Sequence, residues 1–350
     1  MPHRLSDKSA GMKLVTYRTD AHDRAGVLLG DTVIDLAHAF SYFEHKAGRR
    51  CDAAHVAERY GKGVLGFVEN ASEARPAADA IVAMHAEKKL PRAFEGRMTS
   101  HPLAEVTLRA PIPKPPSMRD GYAFRQHVET ARKNRGLEMI PEFDQFPVFY
   151  FTNHQAVVGP GPLAVRKLHL ERLDFELEAA VVIGKKGHDL DLTRADDFVF
   201  GLTIMNDFSA RALQMEEMKL SLGPAKGKDF ATGLGPYLVT KDELAKQTTR
   251  TPKGDVFDLE MRAFVNGVQV SRGNVKDMTW TFAQILERAS YGVTLHPGDV
   301  IGSGTCGTGC FLELNGSKIT NNQWLMPKDV VALEIDGLGR LENTVVAADA

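Results

Sequence analysis

Two glutamates in Phe175-Glu176-Leu177-Glu178-Ala179-Ala180-Val181-Val182-Ile183 carry the strongest chemical signal in the chain. Alternate side chains of a strand share a face, so Glu176, Glu178, Ala180 and Val182 fall on one side. Phe175, Leu177, Ala179, Val181 and Ile183 fall on the other, and both sides turn apolar in the second half. Such a strand reads as covered on both faces. Two carboxylates about 6–7 Å apart there are costly unless a hard divalent cation with oxygen ligands neutralises them. The alternative is a strand that starts at the protein edge with both glutamates in water. Asp258-Leu259-Glu260 repeats the same acid-x-acid spacing, so the pattern by itself does not choose.

Further candidates follow. In residues 198–218 an apolar strand ends in Asn206-Asp207, and a helix begins. Asp207, Arg211, Gln214 and Met218 then share one helical face, which offers a carboxylate ligand, a guanidinium and an amide. The competing reading makes Asp207 an N-cap paired with Arg211. The Gly- and Lys-rich stretch at 223–233 could hold Lys228 over an anion, although it lacks the GxxxxGK[ST] of a phosphate loop. Gly302-Ser303-Gly304-Thr305-Cys306-Gly307 matches GxGxxG, but a strand, Cys310-Phe311-Leu312-Glu313-Leu314, is expected after it. A tight glycine turn therefore explains it better than a dinucleotide site. Cys306 and Cys310 have no histidine at zinc spacing, so no zinc site is expected. Glu313 falls mid-strand, on a solvent face or in a cleft. Asp120 and His127 lie seven apart, which on a helix places an acid and a base on one face.

These residues need a scaffold. Residues 13–36 read as short strands with a turn at Leu29-Gly30-Asp31, and residues 40–100 as mostly helical. Four prolines in residues 111–118 mark an extended connection. After it come candidate strands Pro147–Thr152, Phe175–Ile183, Phe198–Met205, Tyr237–Thr240, Phe257–Val265, Asp299–Ile301, Phe311–Leu314 and Val330–Ile335. Helices are expected at Ser209–Met218 and Thr281–Tyr291, and Asn266-Gly267 signals a hairpin. Helices do not alternate with strands, which excludes a doubly wound parallel sheet. The expectation is a mixed, β-rich α/β fold with a small amino-terminal domain, residues 1–109, and a catalytic domain, residues 110–350.

The balance of 43 basic and 45 acidic residues gives a net charge of −2, which argues against nucleic acid. Three cysteines make no closed disulfide framework and suit a reducing compartment. The start, MPHRLSDKSAGMK, lacks the apolar core of a secretory signal, and no run approaches the ~20 apolar residues of a membrane span. Met12 could serve as an internal start after a loose tail. A soluble cytoplasmic protein with no membrane partner is expected.

In order, the motifs are Arg119-Asp120-x6-His127, Glu176-x-Glu178, Asn206-Asp207-x3-Arg211-x2-Gln214, Gly227-Lys228, Gly302-Ser303-Gly304-Thr305 and Glu313. With the closing Lys328-Asp329-Val330-Val331-x4-Asp336-Gly337-Leu338-Gly339-x-Leu341-x-Asn343-Thr344-Val345, this series resembles the fumarylacetoacetate hydrolase family from about residue 110 to 345. The resemblance implies a mixed β-sandwich roll, a homodimer, and Mg²⁺, with Mn²⁺ or Ca²⁺ as alternatives. It implies Asp120, Glu176, Glu178 and Asp207 as metal ligands, His127 as the base that activates water and Glu313 as its orienting partner. Arg211, Gln214 and Lys228 would stabilise developing negative charge, and Tyr150 and Thr305 would meet the substrate. The implied reaction is hydrolysis of a C–C bond in a β-diketo acid such as an acylpyruvate, in aromatic-compound breakdown. Decarboxylation, tautomerisation or hydration of a 2-oxo acid at the same metal is the alternative, and a metal-binding scaffold without turnover a third. The chain departs from the family in placing Met218 where a substrate-binding tyrosine is expected. The arginine expected after His127 is Arg132 or Arg135.

Overall fold

The structure, a computed structural model, describes residues 11–348. It begins with strands β1 (Lys13–Arg18), β2 (Arg24–Leu29) and β3 (Thr32–Asp35). They form an antiparallel meander in which Leu14 faces Val27. The expected turn sits between β2 and β3, where Gly30 takes a φ of +56° that an L side chain resists. Asp35 caps α1 (Leu36–Lys46) by accepting the His38 N–H at 2.8 Å. Helices α2 (Ala53–Tyr60), α3 (Val64–Glu69) and α4 (Ala71–Ala86) follow. Helix therefore fills the expected region only as far as Ala86; beyond it short strands take over, among them β4 (Ser100–Pro102). The tail expected before Met12 lies, Gly11 apart, outside the described residues. Met12 itself is buried, and its N–H donates to the Thr240 hydroxyl at 2.9 Å.

The proline-rich stretch forms no helix and leads into β5 (Met118–Gly121). The remaining strands that matter here are β6 (Phe149–Phe151), β7 (Gly161–Val165), β8 (Leu177–Ile183), β9 (Val199–Asp207) and β10 (Thr232–Thr240). After them come β11 (Glu260–Val265), β12 (Val268–Asn274), β13 (Val300–Gly302), β14 (Val330–Ile335) and β15 (Gly339–Ala347). One twelve-stranded sheet runs β4-β3-β2-β1-β10-β9-β8-β13-β5-β6, with two short strands beside β10 and β1. Because Lys13 of β1 faces Val239 of β10, the amino-terminal meander is part of the same sheet as the later strands. A second sheet of five strands runs β7-β15-β14-β11-β12.

This layering explains the apolar run of β8. Ala180 and Val182 pack with Leu36, Phe67 and Ile81 beneath the amino-terminal helices. Ala179, Val181 and Ile183 pack with Met261, Ala263 and Leu333 of the second sheet. Every residue of β8 is buried, and each large apolar side chain so covered contributes roughly 1.5–3 kcal/mol. The fold is thus mixed α/β and strand-rich, as expected.

The later helices that matter here are α5 (Arg125–Lys133), α6 (Arg211–Met218), α7 (Phe282–Ser290) and α8 (Phe311–Gly316). The last corrects an expectation, since Phe311–Leu314 was expected to be a strand. The cause is remote: Asp174 accepts the Phe311 and Leu312 N–H groups at 2.7 and 2.9 Å, which satisfies the first turn of a helix. The expected strand Phe257–Val265 is also two strands, Gly254–Phe257 and Glu260–Val265, broken at Asp258. Helix α6 starts two residues later than expected, because Ser209 and Ala210 pair with Asp174 and Leu173. Asn266 and Gly267 take φ of +52° and +78°, as the hairpin between β11 and β12 requires. Among the described residues no helix is long and apolar enough to cross a membrane.

Candidate active site

Sheet order assembles the carboxylates. Strands β9, β8, β13, β5 and β6 are neighbours, which brings Asp207, Glu178, Gly302, Asp120 and Tyr150 to one end of the sheet. Asp120 lies opposite Tyr150 on one side and beside Gly302 on the other. A Cβ at 302 would fall 2.5 Å from the Asp120 carboxylate, and one at 304 would strike the Gly121 carbonyl at 2.6 Å. The glycines of the GxGxxG match therefore make room for Asp120, and the Gly304 N–H donates to its Oδ1 at 3.1 Å. Glu176 stands just before β8, its N–H held by the Asn206 side chain at 3.0 Å.

Asp120, Glu176 and Glu178 each offer an oxygen within 4.8 Å of the others, and Asp207 adjoins them through Lys228. All four are buried, so the solvent-edge reading of Glu176 and Glu178 is overturned. The Lys228 ammonium donates to Glu176 and, at 2.8 Å, to Asp207 Oδ2. The Arg211 guanidinium donates to Glu176 Oε1 and Asp174 Oδ2, each at 2.8 Å, and to Gln214 Oε1 at 3.0 Å. Asp207 does not cap α6: the N-cap is Ala210, and Arg211 pairs with Asp174 and Glu176 instead. Asp207 ends β9, so it does not share the helical face of Arg211 and Gln214.

Charge in this cluster is unevenly matched. Burial raises Glu176, but Lys228 and Arg211 outweigh that and bring it down to about 2. Among the described residues neither Asp120 nor Glu178 forms an ion pair, and Lys228 only partly offsets the rise of Asp120. Burial and then the Asp207 charge push Asp120 up to about 8, while burial and then Asp120 push Glu178 well above its usual value. Glu178 Oε2 and Asp207 Oδ1 are buried without a hydrogen-bond partner. An oxygen-only donor set with orphaned lone pairs fits a hard divalent cation, which would hold these carboxylates ionised.

The second group lies on helices. His127 of α5 and Glu313 in the first turn of α8 meet with Nδ1 2.6 Å from Oε2. Glu313 Oε1 accepts the Thr308 N–H at 2.9 Å, and the Tyr122 ring meets the imidazole edge-on, centroids 5.9 Å apart. Glu313 is buried on a helix, not mid-strand. Asp120 and His127 do not share a helix either; the strand ends at Gly121, and α5 starts at Arg125. They meet in a cavity of about 1,110 Å³, lined also by Tyr150, Glu176, Arg211, Gln214, Lys228, Thr305 and Glu313.

Residues 117–346 match the family described as fumarylacetoacetate (FAA) hydrolase, C-terminal. The chain belongs to this family. It is 33% identical over 250 residues to oxaloacetate tautomerase YisK of Bacillus subtilis strain 168, covering 69% of this chain and 74% of that protein. Fumarylacetoacetase of Bos taurus is 29% identical over 357 residues, covering 85% and 82%. The solved structure of a fumarylacetoacetate hydrolase (EaFAH) from psychrophilic Exiguobacterium antarcticum is 25% identical, with a TM-score of 0.65, and the match covers 96% of this chain and 100% of that one. Relatives in the fumarylacetoacetate hydrolase family thus include a hydrolase and a tautomerase.

Within this family member, Arg135 lines the cavity and Arg132 does not; Arg132 donates to the Glu138 carbonyl. Met218 lines it beside Met215 and Val148, an apolar wall. The Tyr150 and Thr305 hydroxyls donate to Asp207 and Glu178 respectively. Sequence reasoning missed Tyr122 and Asp174. Asp174, fully buried, binds both Arg211 and the start of α8; its only sequence mark is a position two residues before Glu176.

Proposed function

We propose that the chain hydrolyses a carbon–carbon bond in a β-diketo acid of the acylpyruvate type. The observation that supports this best is the 2.6 Å His127–Glu313 pair in the same cavity as the carboxylate cluster. Bound by Asp120, Glu176, Glu178 and Asp207, a divalent cation, with Mg²⁺ proposed and Mn²⁺ or Ca²⁺ as alternatives, would supply Lewis acidity at the carbonyl under attack.

The chain's own groups do the rest. Nδ1–H of His127 donates its hydrogen bond to Glu313 Oε2, which leaves Nε2 as the basic nitrogen. His127 takes a proton from water as the oxygen adds to the carbonyl. The C–C bond then breaks to a carboxylic acid and an enolate, and the departing carbon recovers a proton from His127. Gln214 spends its oxygen on Arg211, so its amide N–H groups remain to donate to a substrate oxygen. Arg211 and Lys228 add positive charge where the enolate develops; removing one such donor typically costs ~10²–10³ in kcat.

Loss of enol absorbance from acylpyruvates, measured with Mg²⁺ and with chelator, tests the reading. His127→Ala is expected to lower hydrolysis by ~10²–10⁴ while metal affinity, read by calorimetry, stays unchanged. Full hydrolysis in that variant would overturn the assignment. The likeness to an oxaloacetate tautomerase favours one second reading, in which the same imidazole moves a proton within a 2-oxo acid. Oxaloacetate turned over without carbon–carbon cleavage, with acylpyruvates inert, decides for it.

A further inference from the structure

Cys310 has no part in the chemistry above, yet its sulfur lies against the dyad. One ligand atom each from His127, Cys310 and Glu313 is within 4.8 Å of both others, and all three residues are buried. The sequence spacing hides this, because the histidine comes from α5 and the thiol from the residue that precedes α8. The two helices are tied together at this point, with the Asn134 amide donating to the Glu313 carbonyl at 3.3 Å. No histidine stands at zinc spacing from Cys310 in the sequence, but the fold brings His127 beside it.

The donors differ in kind from those of the carboxylate cluster. Sulfur, imidazole nitrogen and one carboxylate oxygen form a borderline-soft set, and zinc sites with three protein ligands keep a fourth position open. We infer that His127, Cys310 and Glu313 form a second site, inhibitory and selective for thiophilic divalent cations such as Zn²⁺, apart from the oxygen cluster. Burial and the nearby Asp174 hold the thiol well above its ordinary range, so it is protonated in the free protein, and a bound cation takes the proton's place. A His127 nitrogen that holds the cation no longer forms the dyad that activates water. The inhibition rests on the hydrolase reading; the binding does not.

The test uses the full chain with excess Mg²⁺ present. CoCl₂ or CdCl₂ is titrated in, and thiolate-to-metal charge-transfer absorption is followed. One cation per chain should produce the band; Cys310→Ala should abolish it, and Cys51→Ser and Cys306→Ser should retain it. No band, or a band that survives Cys310→Ala, overturns the site. X-ray absorption on the Zn²⁺-loaded unmodified chain gives a reading independent of any variant: one sulfur in the first shell supports the site, and a shell of oxygen and nitrogen alone overturns it. In turnover with Mg²⁺, each chain normalised to its own rate without Zn²⁺, Cys310→Ala should raise the half-inhibiting Zn²⁺ concentration at least about tenfold, since even outer-shell partners carry about 10–100-fold in metal affinity. Unchanged zinc sensitivity overturns the inhibitory role. A chain that binds Zn²⁺ through sulfur but cleaves no β-diketo acid keeps the site and refutes the hydrolase reading.

Discussion

Glu176-x-Glu178 and Asp258-x-Glu260 share one spacing and have opposite fates. The first enters β8, between β9 and β13 in the middle of the twelve-stranded sheet, and is buried. The second enters β11 of the smaller sheet, where Asp258 pairs with Lys276 and Asn274, and Glu260 with Arg262 and Arg272. Those hydrogen bonds hold Asp258 and Glu260 below their usual range, whereas burial drives Glu178 above its own. A carboxylate on the outer face of a half-buried strand finds cations and water locally. One inside a layered sheet must be provided with partners by distant chain, and Glu178 is left with an orphaned oxygen. Acid spacing is thus uninformative until the depth of its strand is known.

The contrast is open to direct attack. Glu178→Gln should remove a ligand and a required negative charge, lowering metal-dependent turnover by about 10³-fold or more, as several kcal/mol of Lewis-acid stabilisation are lost. Calorimetry with Mg²⁺ should show the matching loss of affinity, and retained affinity would refute the cluster as the metal site. Asp174→Ala should destabilise the fold by about 3–5 kcal/mol, because it strands Arg211 in the interior and uncaps α8. Denaturant unfolding measures it, and a loss below about 1 kcal/mol would deny Asp174 that anchoring role.

Opposite titration signs should also appear at Asp120 on the one hand and at Asp258 and Glu260 on the other, while Glu176 itself is held low by Lys228 and Arg211. Asp120, neighbour of Glu178, rises from the usual 3.8 to about 8, so the metal-free folded state binds a proton that the unfolded chain has released. Stability of the metal-free chain should therefore fall as pH rises from about 4 to about 8, by at most about 1.4 kcal/mol per pH unit for one proton. Saturating Mg²⁺ should flatten that fall in thermal melts. The exposed pair is lowered, so its smaller contribution is present above the usual carboxylate range and lost towards acid. Least of all, Asp258→Asn should leave both melting temperature and turnover unchanged within error. A marked loss there would mean that burial does not separate the pairs.

Much of the site was legible because its residues sit in local patterns. Asn206-Asp207 at a strand end and Gly302-x-Gly304 carry positions that only certain residues can fill: Asn206 holds the Glu176 backbone, and glycine leaves space for Asp120. Glu313 was placed in the wrong element, since Cys310-Phe311-Leu312-Glu313-Leu314 alternates like a strand. Its helix is capped by a carboxylate 137 residues away. Asp174 was missed for the same reason: a single acid shows nothing of its partners until Arg211 and α8 are folded against it.

By itself the sequence determined the strand-rich class, the amino-terminal helices as far as Ala86, the hairpin at Asn266-Gly267 and the family motifs, all set by periodicity, turn chemistry and residue type over short spans. Only the tertiary structure decided which acid pair is buried, that Arg211 answers Asp174 and Glu176 rather than Asp207, and that Arg135 rather than Arg132 faces the cavity. It also decided that His127, Cys310 and Glu313 converge. The reason is physical: charge burial and side-chain pairing depend on what distant strands and helices bring within a few ångströms, and no local pattern records that distance.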